Sequence, residues 1–177
     1  MVGMNLSKIL LLCSFIGLSL TNERTGTIDV ITTNDIHGVI GEQDAHFMNP
    51  NFPPKIIGGS AYYKYVRELE SNLLDKSDDL LIVDGGNFFQ GHPLGIIDSG
   101  RTIIEWMNKI KYDAMVPGQN DFLFGYKNLI NLSSIAEFPF LASNIFYSNT
   151  DEHVFEPYTI LDIKGINVGL LGIVSSN

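Results

Sequence analysis

Thr32-Thr33-Asn34-Asp35-Ile36-His37-Gly38 follows the apolar run Ile28-Asp29-Val30-Ile31. The run has strand character and the heptapeptide closes on a glycine. Side chains at i and i+2 leave a strand on the same face, so Asp35 and His37 can point together where the strand opens into a loop. A carboxylate and an imidazole that converge suit a divalent metal. The same residues also read as a polar turn after a strand, with Asn34 and Gly38 as turn formers.

Working outward, strand-like runs alternate with helical patterns. Residues 27–33 form the first strand. A loop follows, broken by Asn49-Pro50 and Pro53-Pro54. Ser60 caps a helix over 60–76, with Tyr62, Val66, Leu69 and Leu73 on one face at helical spacing. Leu80-Leu81-Ile82-Val83 is a short buried strand. A second helix starts at Asp98 or Ser99 and turns Ile103, Met107 and Ile110 inward; Trp106 packs. Residues 114–116 make a strand ended by Pro117-Gly118, 126–136 a third helix, and 138–142 a fourth strand. Residues 157–163 and 166–174 read as a hairpin around Lys164-Gly165. This alternation predicts a layered α/β fold with crossover helices. In such sheets, sites gather in the loops beyond the strand ends. Three glycine-marked polar loops lie there: 34–38, 84–91 and 117–122.

The chain has 177 residues, 45% of them apolar, enough for one domain with a sizeable core. The formal net charge of -9 excludes a general nucleic-acid grip, which needs a basic footprint. It leaves small anionic substrates open, because a bound metal reverses the local field. Lys8 followed by the apolar run 9–20 reads as a signal peptide over residues 1–19, with small residues at Gly17-Leu18-Ser19; a buried helix or an uncleaved anchor is the alternative. The run is too short to span a bilayer, so no stable membrane anchor is expected after cleavage. The expected location is secreted or periplasmic. Cys13 is the only cysteine and falls inside the leader. A mature chain over 20–177 would therefore hold metal through oxygen and nitrogen alone.

The second loop reads Asp84-Gly85-Gly86-Asn87-Phe88-Phe89-Gln90-Gly91, and the third Pro117-Gly118-Gln119-Asn120-Asp121-Phe122. With Asn34-Asp35-Ile36-His37-Gly38, Gly58-Gly59, the run Phe138 to Asn144, and Gly165 to Gly172, they resemble the calcineurin-like metallophosphoesterases. The branch resembled is that of the secreted 5'-nucleotidases, UDP-sugar hydrolases and 2',3'-cyclic-nucleotide phosphodiesterases. The likeness covers about residues 27–174, and three ordered motifs are more specific than any one.

The resemblance implies an αββα-type layered fold, of which this sequence carries the N-terminal part of the catalytic domain, incomplete at the C-terminus. It implies two divalent metals (Mn, Zn, Co or similar) that polarise a phosphate ester and activate water for in-line attack. A nucleotide or another phosphate ester would be the substrate. Carried over residue by residue, Asp35 and His37 match metal ligands. Asn87 stands at the bridging aspartate, Gln119 at an asparagine ligand and Asn120 at the catalytic histidine. The family's later histidine ligands have no counterpart; His46, His92 and His153 read as loop or surface residues. A neutral Asn87 offers one good oxygen where two cations call for an anion. Gln119 is one methylene too long, and Asn120 cannot carry a proton near neutral pH.

The expectation is an exported 5'-nucleotidase-like phosphohydrolase with an impaired or inactive site. The alternatives are a non-catalytic nucleotide- or small-ligand-binding α/β domain, or one half of a split enzyme whose partner chain supplies the rest. A fold incomplete in this way is expected to expose apolar surface and strand edges.

Overall fold

The computed structural model describes residues 27–72 and 80–175. The signal peptide read over 1–19 and the helix end read at 76, with Leu73, lie outside the described residues.

Strand β1 (Asp29–Thr33) is followed by a two-residue strand pair, β2 (Gln43–Asp44) and β3 (Lys55–Ile56), and by helix α1 (Gly59–Asn72). Next come β4 (Leu80–Asp84), the single turn α2 (Pro93–Ile96), α3 (Arg101–Ile110) and β5 (Ala114–Met115). A 3-10 turn over Gln119–Phe124 leads into α4 (Tyr126–Ile135), and the hairpin β6 (Tyr158–Ile163) and β7 (Ile166–Leu171) ends the order. The central sheet is parallel, in the order β1-β4-β5, with Thr33 opposite Asp84 and Asp84 opposite Met115. That register brings the ends of β1, β4 and β5, and the three polar loops that follow them, to one edge of the sheet.

The core is built from the apolar stripes that the sequence displays. Val66 of α1, Ile103, Ile104, Met107 and Ile110 of α3, and Leu129 and Leu132 of α4 form one cluster with Ile82 and Met115 of the sheet. Each such side chain contributes about 1.5–3 kcal/mol on burial. Phe88 sits edge-on to Phe140 and carries the second loop into the same core.

Several readings are corrected. The proline-marked loop holds a small antiparallel ribbon, with Gln43 opposite Ile56 and Asp44 opposite Lys55, tied by an Asp44–Lys55 ion pair at 2.9 Å. Helix α3 starts at Arg101 rather than at 98 or 99. Ser99 and Gly100 both have positive φ, and Asp98 Oδ2 accepts hydrogen bonds from Thr102 N and Oγ1. Residues 138–142 do not form a full strand. They make single parallel bridges, Phe140 to Met115 and Leu141 to Glu156. Among the described residues β1 pairs on one side only, and Val30 is 55% exposed. The hairpin likewise turns Ile160 and Leu171 to solvent.

Candidate functional site

The first two loops are joined by their main chains. Asp35 N donates to Gly86 O, His37 N to Asn87 O and Gly38 N to Phe88 O, all at 2.8–2.9 Å. His92 N returns to His37 O at 2.8 Å. Gly38, with φ +75°, lies so close to Gly95 Cα and Phe89 O that a Cβ there would sit 2.8 Å from both. The third loop is fixed to the second by a carboxylate. Asp121 is fully buried and accepts from Asn87 N (2.7 Å), Phe88 N (3.0 Å) and Gly118 N (2.8 Å).

Asp35, His37 and Asn87 therefore meet. His37 Nε2 is 3.7 Å from Asp35 Oδ1, and Asn87 Nδ2 donates to the same Oδ1 at 2.8 Å. Their convergence does not come from strand alternation, as the i, i+2 spacing suggested. Asp35, His37 and Asn87 all have positive φ, between 49° and 55°. This left-handed region is uncommon for residues other than glycine and is held here by the loop-to-loop hydrogen bonds. Asn120 reaches the group through its backbone, N donating to Asn87 Oδ1 at 3.0 Å. Gln119 begins the 3-10 turn with its side chain exposed, and no hydrogen bond joins it to Asp35, His37 or Asn87.

The donor set can be tested against the metals that the resemblance implies. His37 Nδ1 is paired with the Gln90 carbonyl at 2.7 Å, so it carries the proton and leaves the Nε2 lone pair free beside Asp35. Asp35 and His37 thus fit one cation. Asn87 does not fit as a bridge between two. Its oxygen is taken by Asn120 N and its NH2 faces Asp35. Reversing the amide would set oxygen against carboxylate and NH2 against N–H. Among the described residues, no group of three or more His, Cys, Asp or Glu side chains is placed to hold a metal.

Two buried carboxyls escaped the reading of single positions. Asp84, 2% exposed, accepts from Thr33 Oγ1 at 2.6 Å and Gly86 N at 2.8 Å. Burial pushes it up to about 6, against those hydrogen bonds and with help from the charges of Asp121 and Asp35. Burial likewise raises Asp121 to about 6, against its backbone donors. The signal for Asp84 was an acidic residue closing a buried strand directly before two glycines. For Asp121 it was an acidic residue one turn into the third loop.

No protein-family model matches the chain. It is 26% identical over 155 residues to a 5'-nucleotidase of Vibrio cholerae, covering 88% of this chain and 26% of that protein. It is 30% identical over 152 residues to a snake venom 5'-nucleotidase of Crotalus adamanteus, covering 82% and 25%. A calcineurin-like phosphoesterase from Bacillus subtilis superposes with a TM-score of 0.59 at 25% identity, over 83% of this chain and 48% of that one. The chain is similar in sequence to 5'-nucleotidases and in fold to a calcineurin-like phosphoesterase. It spans about a quarter of the length of the two curated relatives. The α/β phosphoesterase fold expected from the motifs is the one observed, with the parallel sheet carrying the site loops. Among the described residues no helix is long and apolar enough to cross a membrane.

Proposed function

We propose that the chain is an exported, 5'-nucleotidase-like phosphoesterase domain that holds a single divalent cation through Asp35 and His37 and hydrolyses phosphate esters weakly or not at all. Residues 1–19 act as its leader, and 20–177 as the N-terminal part of a catalytic domain. The observation that carries this reading is the Asn87 amide, with its NH2 turned to Asp35 and its oxygen bonded to Asn120 N. A divalent cation held here supplies Lewis-acid polarisation of a phosphoryl oxygen. The Gln90 carbonyl fixes the His37 tautomer, and the Gly86, Asn87 and Phe88 carbonyls fix the backbone that presents both ligands. Asn120 offers a hydrogen-bond donor and no proton relay, and Gln119 extends an amide from the loop rim. Losing one electrostatic stabiliser typically costs ~10²–10³ in rate, and this site departs at more than one position.

The test is an assay with 5'-AMP, a UDP-sugar and an aryl phosphate in manganese, zinc or cobalt. Nucleotide binding without significant turnover supports the reading. Robust metal-dependent turnover that disappears in His37→Ala contradicts it.

A second reading has another chain complete the metal centre. It is supported by the one-sided pairing of β1 among the described residues and by the exposure of Val30, Ile160 and Leu171. It expects concentration-dependent association in sedimentation; a monomer at all concentrations opposes it.

A further inference from the structure

The ribbon of β2 and β3 carries a closed tip, residues 45–54, that the cation site does not use. Its large apolar side chains are turned to solvent: Phe47 and Phe52 are each 82% exposed and Met48 66%. Single exposed apolar residues are ordinary, but three in one short turn make a patch that calls for a partner. The turn does not depend on burying them, because its backbone is held from within. Ala45 N donates to Pro54 O at 2.8 Å and Met48 N to Ala45 O at 2.9 Å. The Asn49 side-chain oxygen accepts from Asn51 N and Phe52 N, both at 3.1 Å. His46 N and Asn49 N donate to Asp44 O and Ala45 O. Pro50, Pro53 and Pro54 have no N–H to satisfy. The charges at the base of the tip are paired, Asp44 with Lys55 at 2.9 Å. Residues 45–54 hold no Asp, Glu, Lys or Arg, in a chain whose formal net charge is -9.

We infer that this tip dips into the interfacial layer of a phospholipid bilayer, with Phe47, Met48 and Phe52 among the upper acyl chains. Two properties favour lipid over a groove on another protein. Leaving water penalises every backbone N–H that lacks an acceptor, and lipid chains offer none. The turn brings its own acceptors, which a protein groove would not require of it. The tip is also the uncharged part of an acidic chain. Anionic headgroups repel the acidic body, so the attraction is apolar, works on zwitterionic lipid and is indifferent to salt. The contact is peripheral and reversible: three side chains give interfacial binding, and among the described residues no helix is long and apolar enough to span. Neither Asp35 nor His37 belongs to the turn, so the inference stands apart from the cation site.

The experiment is flotation of the full chain with phosphatidylcholine vesicles in EDTA. Every sample carries Leu11→Asp and Leu12→Asp, so that the apolar run 9–20 does not itself partition. This parent chain is expected to float with the vesicles equally at low and high salt. Phe47→Ser should weaken partitioning about tenfold, and Phe47→Ser with Phe52→Ser at least about a hundredfold. Both positions are exposed, so the urea midpoint should not move. Phe52→Trp reads the depth directly: its emission should shift to the blue and be quenched by brominated acyl chains, above the baseline that Trp106, the only native tryptophan, sets in the parent. The inference is overturned if the parent does not float, if the double serine variant floats equally, or if Phe52→Trp is not quenched. Binding that needs phosphatidylglycerol and is lost in salt overturns it too. So does self-association without vesicles that the double variant relieves, since a second copy would then cover the tip.

Discussion

At the base of the three loops Asp121 is fully buried and accepts three backbone amides. At their tips the Asp35 side chain is 54% exposed and accepts one side-chain amide from Asn87 and another from Asn34. The first carboxylate is satisfied by the protein alone. The second has spare lone pairs facing His37 Nε2. The base thus holds the loop geometry irrespective of what sits at the tips. The loops therefore stay converged with Asn87 and Asn120 at their tips.

The largest effect expected from this contrast is on stability. Asp121→Ala should destabilise the chain by at least about 3 kcal/mol in urea unfolding, because three amides lose their acceptor in a dry environment. Asp35→Asn, which keeps the side chain's tolerance of positive φ, should change stability by less than about 1 kcal/mol. Similar losses from both would break the comparison.

Next comes pH. Asp84 titrates at about 6 when folded, above the ordinary 3.8, so its contribution is complete below about 3.8 and is lost as pH rises through about 6. Asp84→Asn removes that loss. Relative to wild type, the variant should gain on the order of 2 kcal/mol between pH 4 and pH 7, read from paired urea midpoints. A constant difference across that range would show that Asp84 is not desolvated.

A smaller change sharpens the tip. Asn87→Asp replaces an amide donor by a carboxylate against Asp35. The metal-free chain should lose about 1 kcal/mol in thermal unfolding while manganese affinity rises at least tenfold. Unchanged affinity would mean that Asn87 does not face the cation. The smallest effect is at His92, whose Nδ1 accepts from Leu94 N at 3.3 Å at the start of α2; His92→Ala should cost about 0.5 kcal/mol or less.

Much of the fold was legible because apolar content follows element type. Leu80 to Val83 reads as a buried strand, and Ile103, Met107 and Ile110 mark the inner face of α3. The ribbon of Gln43 and Ile56 was not, since prolines between its arms mask a pairing of only two residues each. Residues 138–142 carry strand composition but meet their neighbours at single bridges, a fact of tertiary placement. At the candidate site, the loops that bring Asp35, His37 and Asn87 together could be picked out from spacing and resemblance. The orientation of the Asn87 amide could not, because it depends on Asp35 and Asn120, 52 and 33 residues away. The role of Asp121 was hidden for the same reason: its partners are main-chain amides, which no side-chain pattern reveals.

On the function proposed, Asp35 and His37 hold one cation and Asn87 does not bridge a second. Manganese titration of the full chain, with bound ion counted by electron paramagnetic resonance, tests it directly. One manganese per chain, without spin coupling and lost in His37→Ala, is the expected result. Two spin-coupled ions in the wild type, or binding indifferent to His37→Ala, would contradict it.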